Sequence, residues 1–306
     1  MPEFVPFRGL RYAAGGPLDA VTAPPYDVID PDERTALAAK DPHNSVRLIL
    51  PDGDDPYAGA ATLLEAWVAD GTLAVDGDAA YYVYRMTFTE GGASRSTIGV
   101  LGALVLPERI EDGQVLPHER TLPKAKSDRL DLLRATRTNL DPIWGLCPTA
   151  GLSDTLAAVT ATAPLATAVD ELGVAHAAWA LTEPSAIEAV HAAVAAGPLV
   201  LADGHHRFET ALNYRAERDP ADAGAGAILC LVVELADEQL VVHAIHRLVH
   251  DLPDDVEARL AATCEVVDAG PNTPDGVAAL RTALRTHGGI GLVRRDRLVR
   301  LVPRPD

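Results

Sequence analysis

The chain has few cysteines, few lysines and no long apolar run. Its three cysteines are odd in number and far apart, which predicts reduced core thiols rather than a disulfide framework; they are Cys147, Cys230 and Cys264. No apolar stretch approaches the roughly 20 residues of a membrane-spanning helix. Residues 1–8 lack the basic segment followed by an apolar one that marks a signal peptide. We therefore expect a soluble, cytoplasmic protein.

Basic residues are also scarce. The sequence has 26 lysines and arginines against 44 aspartates and glutamates, which gives a formal net charge of −18 and a pI near 4.9. This charge argues against nucleic acid or an anionic membrane surface as the main partner. A small phosphate or nucleotide ligand is still compatible with it, because a local positive cluster can lie inside an acidic surface. The composition leaves the oligomeric state open.

Helical and strand-like patterns alternate irregularly along the chain. Helices are predicted from an Asp30 cap onward and at 58–69, 127–137, 184–195, 254–263 and 275–286. Strands are predicted at 45–50, 81–89, 96–106, 227–235 and 239–245, with a further hairpin around 171–173. These patterns predict an α+β fold of mixed sheets with hairpins and flanking helices. A boundary near 148–152 would give domains 1–150 and 151–306; one compact unit is the alternative.

The segment 199–212, LVLADGHHRFETAL, holds the densest group of reactive side chains. Its apolar start is typical of a buried strand, Asp203 and Gly204 interrupt that strand, and helical spacing begins at about His205. Such a turn presents backbone N–H groups and the positive end of a helix dipole, which together suit a phosphate. The alternative is a capping Asp203, a turn at Gly204 and surface histidines. We favour phosphate binding because residues 203–207 contain more reactive groups than capping needs.

A second polar cluster lies at 118–129. It contains two of the chain's three lysines, Lys124 and Lys126, close to Arg129, and these residue types suit phosphate binding. A helix expected to begin at Ser127 would add N–H donors. Thr121 is a further candidate phosphate ligand. The alternative is a solvated loop whose charges pair with one another.

Three other residues of the same cluster could carry acid–base chemistry. Glu119, like Asp128, could hold a divalent metal ion or act as a general base, and His118 could shuttle a proton. A shared site requires the clusters at 118–129 and 203–207 to converge in one pocket. If the two clusters lay on opposite faces of the protein, the site would not include Glu119, Lys126 and Arg129.

Five residues elsewhere are candidate substrate contacts: Tyr26, Asp27, Asn44, Arg47 and Asn139. A proline turn with a packed tyrosine explains the first pair nearly as well, and a helix-to-strand loop explains the second pair slightly better. Asn139 also fits a helix C-cap, with Trp144 expected in the core of the strand that follows.

Several common catalytic motifs are absent. His206 and Glu209 have a His-x-x-Glu spacing, but Thr210 stands where the inverted zinc motif needs a second histidine. We find no His-Glu-x-x-His, Gly-x-Ser-x-Gly, phosphate-binding P-loop or dinucleotide fingerprint. The sequence therefore gives little support to a zinc protease, a serine hydrolase, a P-loop kinase or a Rossmann oxidoreductase.

An ordered set of motifs across residues 1–250 resembles the DUF1015 family of uncharacterised bacterial and archaeal proteins. The motifs are Pro24-Pro-Tyr-Asp27, Asn44-Ser-Val-Arg47, His118-Glu-Arg-Thr121, Lys126-Ser-Asp-Arg129, Asn139 with Pro142-Ile143, and Asp203-Gly-His-His-Arg207.

The Asp-Gly-His-His-Arg string is also similar to the nucleotide-phosphate motif of the ParB/sulfiredoxin superfamily, and to that of its free serine kinases in particular. This resemblance implies a nucleotide-binding unit in which Gly204, His205, His206 and Arg207 contact phosphates. It also implies that Asp203 orients the acceptor hydroxyl or a metal ion, expected to be Mg²⁺. Sulfiredoxin has a cysteine where this chain has His205, which excludes cysteine-based sulfinate repair.

The function expected from these features is phosphoryl transfer from a nucleotide, ATP or ADP, to a small hydroxyl-bearing metabolite such as free serine. Positioning and charge neutralisation would supply most of the catalysis, with Glu119 or Asp203 taking the acceptor's proton. Two alternatives stay open: a phosphohydrolase of a small phosphate ester such as phosphoserine, and a non-catalytic nucleotide-binding regulator.

Overall fold

The computed structural model describes residues 1–119, 123–219, 222–236, 240, 246–253 and 255–304. At residues 111, 123–127 and 223 it describes the backbone but not the side chains. The chain divides into two compact units, Met1–Val241 and Val242–Asp306. The helices are α1 (Pro31–Lys40), α2 (Val46–Ile49), α3 (Pro56–Ala69), α4 (Pro123–Thr136), α5 (Leu152–Ala157), α6 (Pro184–Ala195), α7 (His205–Glu217), α8 (Val256–Leu260) and α9 (Pro274–His287). The strands are β1 (Phe4–Val5), β2 (Leu10–Tyr12), β3 (Gly16–Pro17), β4 (Leu73–Val75), β5 (Tyr81–Glu90), β6 (Ala93–Val105), β7 (Val115–Leu116), β8 (Ile143–Cys147), β9 (Ala166–Val169), β10 (Ala175–Leu181), β11 (Leu199–Asp203), β12 (Ala227–Glu234), β13 (Cys264–Pro271), β14 (Ile290–Val293) and β15 (Arg297–Pro303).

The first unit is built on one large mixed sheet. Its strands follow the order β3-β9-β10-β5-β6-β12-β8-β11-β7, and β1 pairs with β6 off this path. The pairs β12–β8, β11–β7 and β3–β9 are parallel, whereas β5–β6, β6–β12 and β8–β11 are antiparallel. The mixed sheet with its hairpins and flanking helices confirms the fold class expected from the sequence.

Strands from both sides of residue 150 belong to this sheet. β8 ends at Cys147 and pairs with β11 and β12, both of which follow residue 150. The division at 148–152 stays a prediction, while the compact units separate at Val241–Val242. Within the described residues, no helix combines the length and the apolar character needed to cross a membrane.

Local sequence signals account for several elements. The side chain of Asp30 accepts a hydrogen bond of 2.8 Å from the Glu33 backbone N–H, and proline fills the first position of α1, as the capping pattern predicted. The hairpin β5–β6 turns at Gly91 and Gly92, whose φ angles of 59° and 82° favour glycine. The hairpin β9–β10 and the helix α6 also lie where the sequence predicted them.

Three local predictions were wrong. The segment predicted as a strand at 45–50 forms the short helix α2, because the Asn44 side-chain oxygen accepts from the Val46 N–H and starts a turn. α4 begins at Pro123 rather than at Ser127, since proline is well suited to a first helical turn. α4 ends without a C-cap at Asn139: Arg137 takes the left-handed conformation, with φ 52°, and donates its N–H to Leu133.

Two further predictions concern Trp144 and the strand at 239–245. Trp144 is half-buried on β8 rather than fully in the core. Of the strand expected at 239–245, all but residue 240 lies outside the described residues, so that strand stays a prediction.

The core of the first unit lies between the central strands and three helices, α5, α6 and α7. Its fully buried members include Val100, Ile143, Leu152, Val190, Leu201 and Phe208. Phe4 closes this core from β1: its ring stacks on Tyr81 at 5.1 Å and occupies the space beside Gly102, where any side chain would collide with it. This packing stabilises the sheet that contains β11, the strand that leads into α7.

The second unit, Val242–Asp306, contains a small antiparallel sheet in the order β13-β15-β14. α9 contacts each of these strands, and its Leu280 is buried together with Leu298 of β15.

We expect Phe4→Ala to lower the free energy of unfolding by about 3–5 kcal/mol, because it removes a fully buried ring and leaves a cavity. Urea denaturation followed by circular dichroism measures the change. Val28→Ala, at a side chain that is 64% exposed, should stay within about 0.5 kcal/mol of the unmodified chain. A loss below about 1 kcal/mol for Phe4→Ala would contradict this view of the core.

Candidate functional site

The turn between β11 and α7 has the geometry predicted from the sequence. β11 ends at Asp203, α7 begins at His205, and Gly204 between them has φ 87°. A Cβ at Gly204 would lie 2.7 Å from Cγ2 of Ile143 on the neighbouring strand β8. Glycine is therefore required here for its conformation and for its size. As a helix cap it contributes no side-chain acceptor to the first N–H groups of α7.

His205 joins the helix to the segment that carries His118. The His118 backbone N–H donates to Nε2 of His205 at 3.3 Å, and the two imidazole rings meet edge to face with centroids 4.6 Å apart. Because Nε2 accepts, the proton of a neutral His205 ring resides on Nδ1. Nδ1 lies 4.0 Å from Oε2 of Glu119, an exposed side chain.

The pKa of His205 lies below its ordinary value. Burial is the main cause, and the neighbouring His118 lowers it further; Glu119 and Asp203 act in the opposite direction, while His206 lowers it slightly. His205 is therefore neutral at pH 7. Its contacts make it a positioning residue that ties the 118–119 segment to the start of α7.

Arg207 is held by the turn on which it lies. Its Nη2 forms an ion pair of 2.5 Å with Asp203, and its Nη1 donates to the Pro142 carbonyl. Only 12% of its side chain is exposed. These bonds fix the guanidinium beside the first turn of α7.

Arg129 approaches the same place from α4. It is 7% exposed, bonds to Asp128 through Nε and Nη2, and donates from Nη1 to the Ile49 carbonyl. Its guanidinium carbon lies 4.2 Å from the centre of the Tyr26 ring, and that of Arg207 lies 5.8 Å from the same centre. The structure thus brings together Tyr26, Arg129 and Arg207 from three distant parts of the sequence.

A pocket opens beside these arginines, between α4 and α7. Asn139 and Asp141 line it from the loop after α4, together with Arg129, Arg207 and Thr210. Burial raises the pKa of Asp141, against the opposing effect of Arg207 and Arg129, and Asp27 raises it further.

Thr210 is a buried polar residue of this pocket. The residue is only 2% exposed, and among the described residues its hydroxyl oxygen has no hydrogen-bond partner. Leaving a hydroxyl buried and unpaired costs about 1–3 kcal/mol. Thr210 is also one of the residues that line the pocket.

The remaining predicted site residues differ in their surroundings. Asn44 is fully buried; its amide donates to the Ala20 and Thr22 carbonyls and its oxygen accepts from the Val46 N–H, so it orders the segment leading to Tyr26. Arg47 donates to the Ala38 carbonyl from α2. His206 lies in the first turn of α7. Thr121 and the side chain of Lys126 lie outside the described residues.

The described residues form no group of three or more histidine, cysteine, aspartate or glutamate side chains that could hold a metal ion. A Mg²⁺ ion typically takes one or two protein carboxylates and completes its shell with phosphates and water. Asp203, 57% exposed at the turn, fits the role of a single such ligand.

Asp141 and Thr210 were missed by sequence reasoning. Asp141 lies in Asn139-Leu-Asp-Pro142, which resembles an ordinary helix exit, and its partial burial depends on the tertiary structure. Thr210 has the helical spacing of a core position, beside the buried Phe208 and Ala211. A hydroxyl on that inward face was the available signal.

Comparison with family models matches residues 4–305 to DUF1015, described as a protein of unknown function. Because the match spans nearly the whole chain, the chain belongs to this family. The match extends beyond residue 250, where the sequence motifs become weak. Comparisons with curated proteins and with solved structures found no match.

We expect Gly204→Ala to destabilise the fold by more than about 1 kcal/mol, because the new Cβ combines a left-handed φ with a clash against Ile143. Gly59→Ala is the matched control: it lies inside α3 with open space around it, so it should stabilise the chain by about 0.5–1 kcal/mol. Chemical denaturation gives both values. Equal effects of the two substitutions would disprove the special role of Gly204.

The lowered pKa of His205 gives the fold a predictable pH dependence. As the pH falls below about 6.5, this residue is protonated in the unfolded chain before it is protonated in the folded chain. The contribution of neutral His205 to the free energy of unfolding is therefore complete above about pH 6.5 and is lost as the pH falls toward the lowered pKa. His205→Gln keeps an acceptor for the His118 N–H but cannot titrate. Between pH 7 and pH 5, the variant should therefore lose less free energy of unfolding than the unmodified chain. Parallel pH profiles would contradict the assignment.

Proposed function

We propose that this protein transfers the terminal phosphoryl group of a nucleotide, ATP or ADP, to a small hydroxyl-bearing metabolite such as free serine. One observation carries the proposal: Arg129 and Arg207 approach a single tyrosine ring beside a helix N-terminus that opens with glycine. Free N–H groups, a helix dipole and guanidinium donors are the groups that bind phosphates in proteins. The similarity of Asp203–Arg207 to the motif of free serine kinases supports the same assignment.

In this proposal the phosphates bind over the first turn of α7. Gly204 lets the backbone approach them closely, and the N–H groups of residues 205–207 together with Arg207 neutralise the charge. His205 positions the 118–119 segment, as its bond to His118 indicates. Arg129, whose guanidinium also lies over the Tyr26 ring, would contact the acceptor.

Charge balance at the turn favours a nucleotide that arrives with its divalent cation. The described carboxylates around it, Glu119, Asp128, Asp141 and Asp203, outnumber the two buried arginines. A bare polyphosphate would meet repulsion from those carboxylates, whereas bound Mg²⁺ offsets part of its charge. Asp203 is the carboxylate that would contribute to holding this ion.

The transfer itself needs little covalent chemistry from the protein. The acceptor oxygen bonds to the terminal phosphorus while the bond from that phosphorus to the bridging oxygen breaks, and the acceptor's proton passes to a carboxylate. Glu119 is preferred over Asp203 for this step, because Asp203 is already bound to Arg207. Positioning and charge neutralisation supply the rate enhancement.

Two measurements test the proposal. A thermal-shift screen of the full chain with ADP, ATP, CTP, free serine and phosphoserine, each with and without Mg²⁺, identifies the ligand; a compound at a hundred times its dissociation constant should add about 2.7 kcal/mol of stability. Phosphorus NMR then follows product formation. We expect nucleotide consumption only when the acceptor is present, whereas release of inorganic phosphate from phosphoserine without nucleotide would indicate a phosphohydrolase.

We expect Arg207→Gln to weaken nucleotide binding by about 10- to 100-fold, the usual effect of removing one charged hydrogen-bonding partner. Arg218→Gln is the matched control, since Arg218 follows the same helix and pairs with Asp222 instead. Calorimetric titration with Mg·ATP and with Mg·ADP measures both. Unchanged binding in Arg207→Gln, or no response of the chain to any phosphorylated compound, would overturn the proposed function.

A further inference from the structure

The guanidinium of Arg129 is oriented by a carboxylate that is itself held by a third side chain. Oδ2 of Asp128 accepts hydrogen bonds from Nε and Nη2 of Arg129 at 2.7 and 2.6 Å. Oδ1 of the same carboxylate accepts from the hydroxyl of Tyr57 at 2.8 Å. Tyr57 lies in the first turn of α3, so a continuous series of contacts runs from α3 through α4 to the ring of Tyr26.

This arrangement bears on the role of Asp128. The sequence makes Asp128 a candidate metal ligand or general base. Three hydrogen bonds already use its two oxygens, one from Tyr57 and two from Arg129. An ionised carboxylate offers about four lone-pair positions, so little of its capacity remains for a metal ion or a substrate proton. Its contacts are those of a residue that orients Arg129.

The hydroxyl of Tyr57 is suited to holding this carboxylate. Its hydrogen bond to Asp128 raises the pKa of Tyr57, and burial raises it further. Tyr57 therefore stays protonated, and remains a donor, at and above neutral pH. A hydrogen bond from a hydroxyl to an ionised acceptor is stronger than one between neutral groups.

Two helices outside α4 hold Arg129, and they share one apolar cluster. Nη1 of Arg129 donates to the carbonyl of Ile49 in α2 at 2.8 Å, while Tyr57 in α3 holds its carboxylate partner. Leu48 of α2 and Trp67 of α3 belong to the same buried cluster. The groups that orient Arg129 are therefore anchored in packed structure.

The other arginine on Tyr26 is held differently. Arg207 pairs with Asp203, a carboxylate four residues before it that is 57% exposed. Arg129 is 7% exposed, and its carboxylate is bound from a separate helix. Arg129 is thus the more firmly oriented of the two guanidinium groups.

We propose that Tyr57 and Asp128 are positioning residues of the candidate site, which hold Arg129 over Tyr26 before any ligand binds. Donors that are ordered in advance lose less entropy when a ligand arrives, so loosening them weakens binding. The role of Arg129 toward an acceptor rests on the proposed function, whereas its ordering in the free chain rests on these contacts alone.

Nuclear magnetic resonance of the full chain with isotope-labelled arginine tests the ordering without any ligand. The ring current of Tyr26 shifts the signals of a guanidinium stacked on it, and Tyr26→Leu gives the unshifted reference. Arg129→Gln identifies the signals by their loss. We expect Tyr57→Phe to move the Arg129 signals at least halfway toward the reference. Signals that stay in place would overturn the proposal.

Tyr84→Phe is the matched control for the loss of one hydroxyl. Tyr84 forms a hydrogen bond of 2.7 Å with His176, between β5 and β10 of the large sheet. Its removal also costs one partly buried hydrogen bond, but it does not involve Asp128 or Arg129. We expect the Arg129 signals to stay in place in this variant. An equal displacement in both variants would indicate general loosening of the fold and would contradict the positioning role.

Transfer kinetics with Mg·ATP or Mg·ADP and free serine separate positioning from catalysis. Tyr57→Phe and Asp128→Asn should each raise the KM for the acceptor at least threefold and lower kcat by less than about twofold. A general base at Asp128 would give a different pattern, because Asp128→Asn would then lower kcat by about 100-fold or more. An unchanged KM in Tyr57→Phe would contradict the role toward the acceptor even where the Arg129 signals move.

The positioning role and the proposed function can fail separately. Displaced Arg129 signals in Tyr57→Phe, in a chain that transfers no phosphoryl group, would keep the ordering of Arg129 and remove the kinase. Phosphoryl transfer with unchanged KM and unmoved Arg129 signals in Tyr57→Phe would keep the kinase and remove the positioning role.

Discussion

The stacking of two arginines on Tyr26 is the contact on which the candidate site depends. It connects the N-terminal segment, α4 and α7, which the sequence keeps far apart. Each guanidinium is oriented by a carboxylate next to it in the fold, Asp128 for Arg129 and Asp203 for Arg207. Cation–π contacts contribute about 0.5–2 kcal/mol each, more where water is excluded. Both arginines are largely buried, so the stack fixes the distance between the helix N-terminus and the pocket.

An acidic protein can maintain such a site because its positive groups are local and fixed in orientation. A net charge of −18 repels free anions over the whole surface, but salt screens that repulsion beyond roughly 8–10 Å. Within the pocket, the donors of Arg129 and Arg207 act at hydrogen-bonding distance and in a partly dehydrated setting, where a charge-assisted bond is strong. Under the proposed function, local geometry therefore decides which ligand binds, and the negative net charge disfavours nucleic acid.

The sequence predicted what depends on neighbouring residues and missed what depends on packing. The strand, the glycine turn and the helix at 199–217 follow from a change of periodicity at Asp203–Gly204, so they could be placed correctly. The segment 45–50 could not, because buried Val46, Leu48 and Ile49 fit a strand or one turn of helix equally well. The contact of Arg129 and Arg207 with Tyr26, and the partial burial of Asp141, arise only in the tertiary structure, which brings together segments that are far apart in the sequence.

Several unfavourable features of the fold lie close together around the start of α7. Gly204 has a left-handed conformation, His205 is buried and neutral, Asp141 has a raised pKa, and Thr210 has an unpaired hydroxyl. Stability alone would favour replacing such groups, since an apolar residue at Thr210 removes a penalty without losing a bond. Costs of this kind cluster at binding and catalytic sites in proteins, so their proximity at α7 supports the proposed function without relying on a motif.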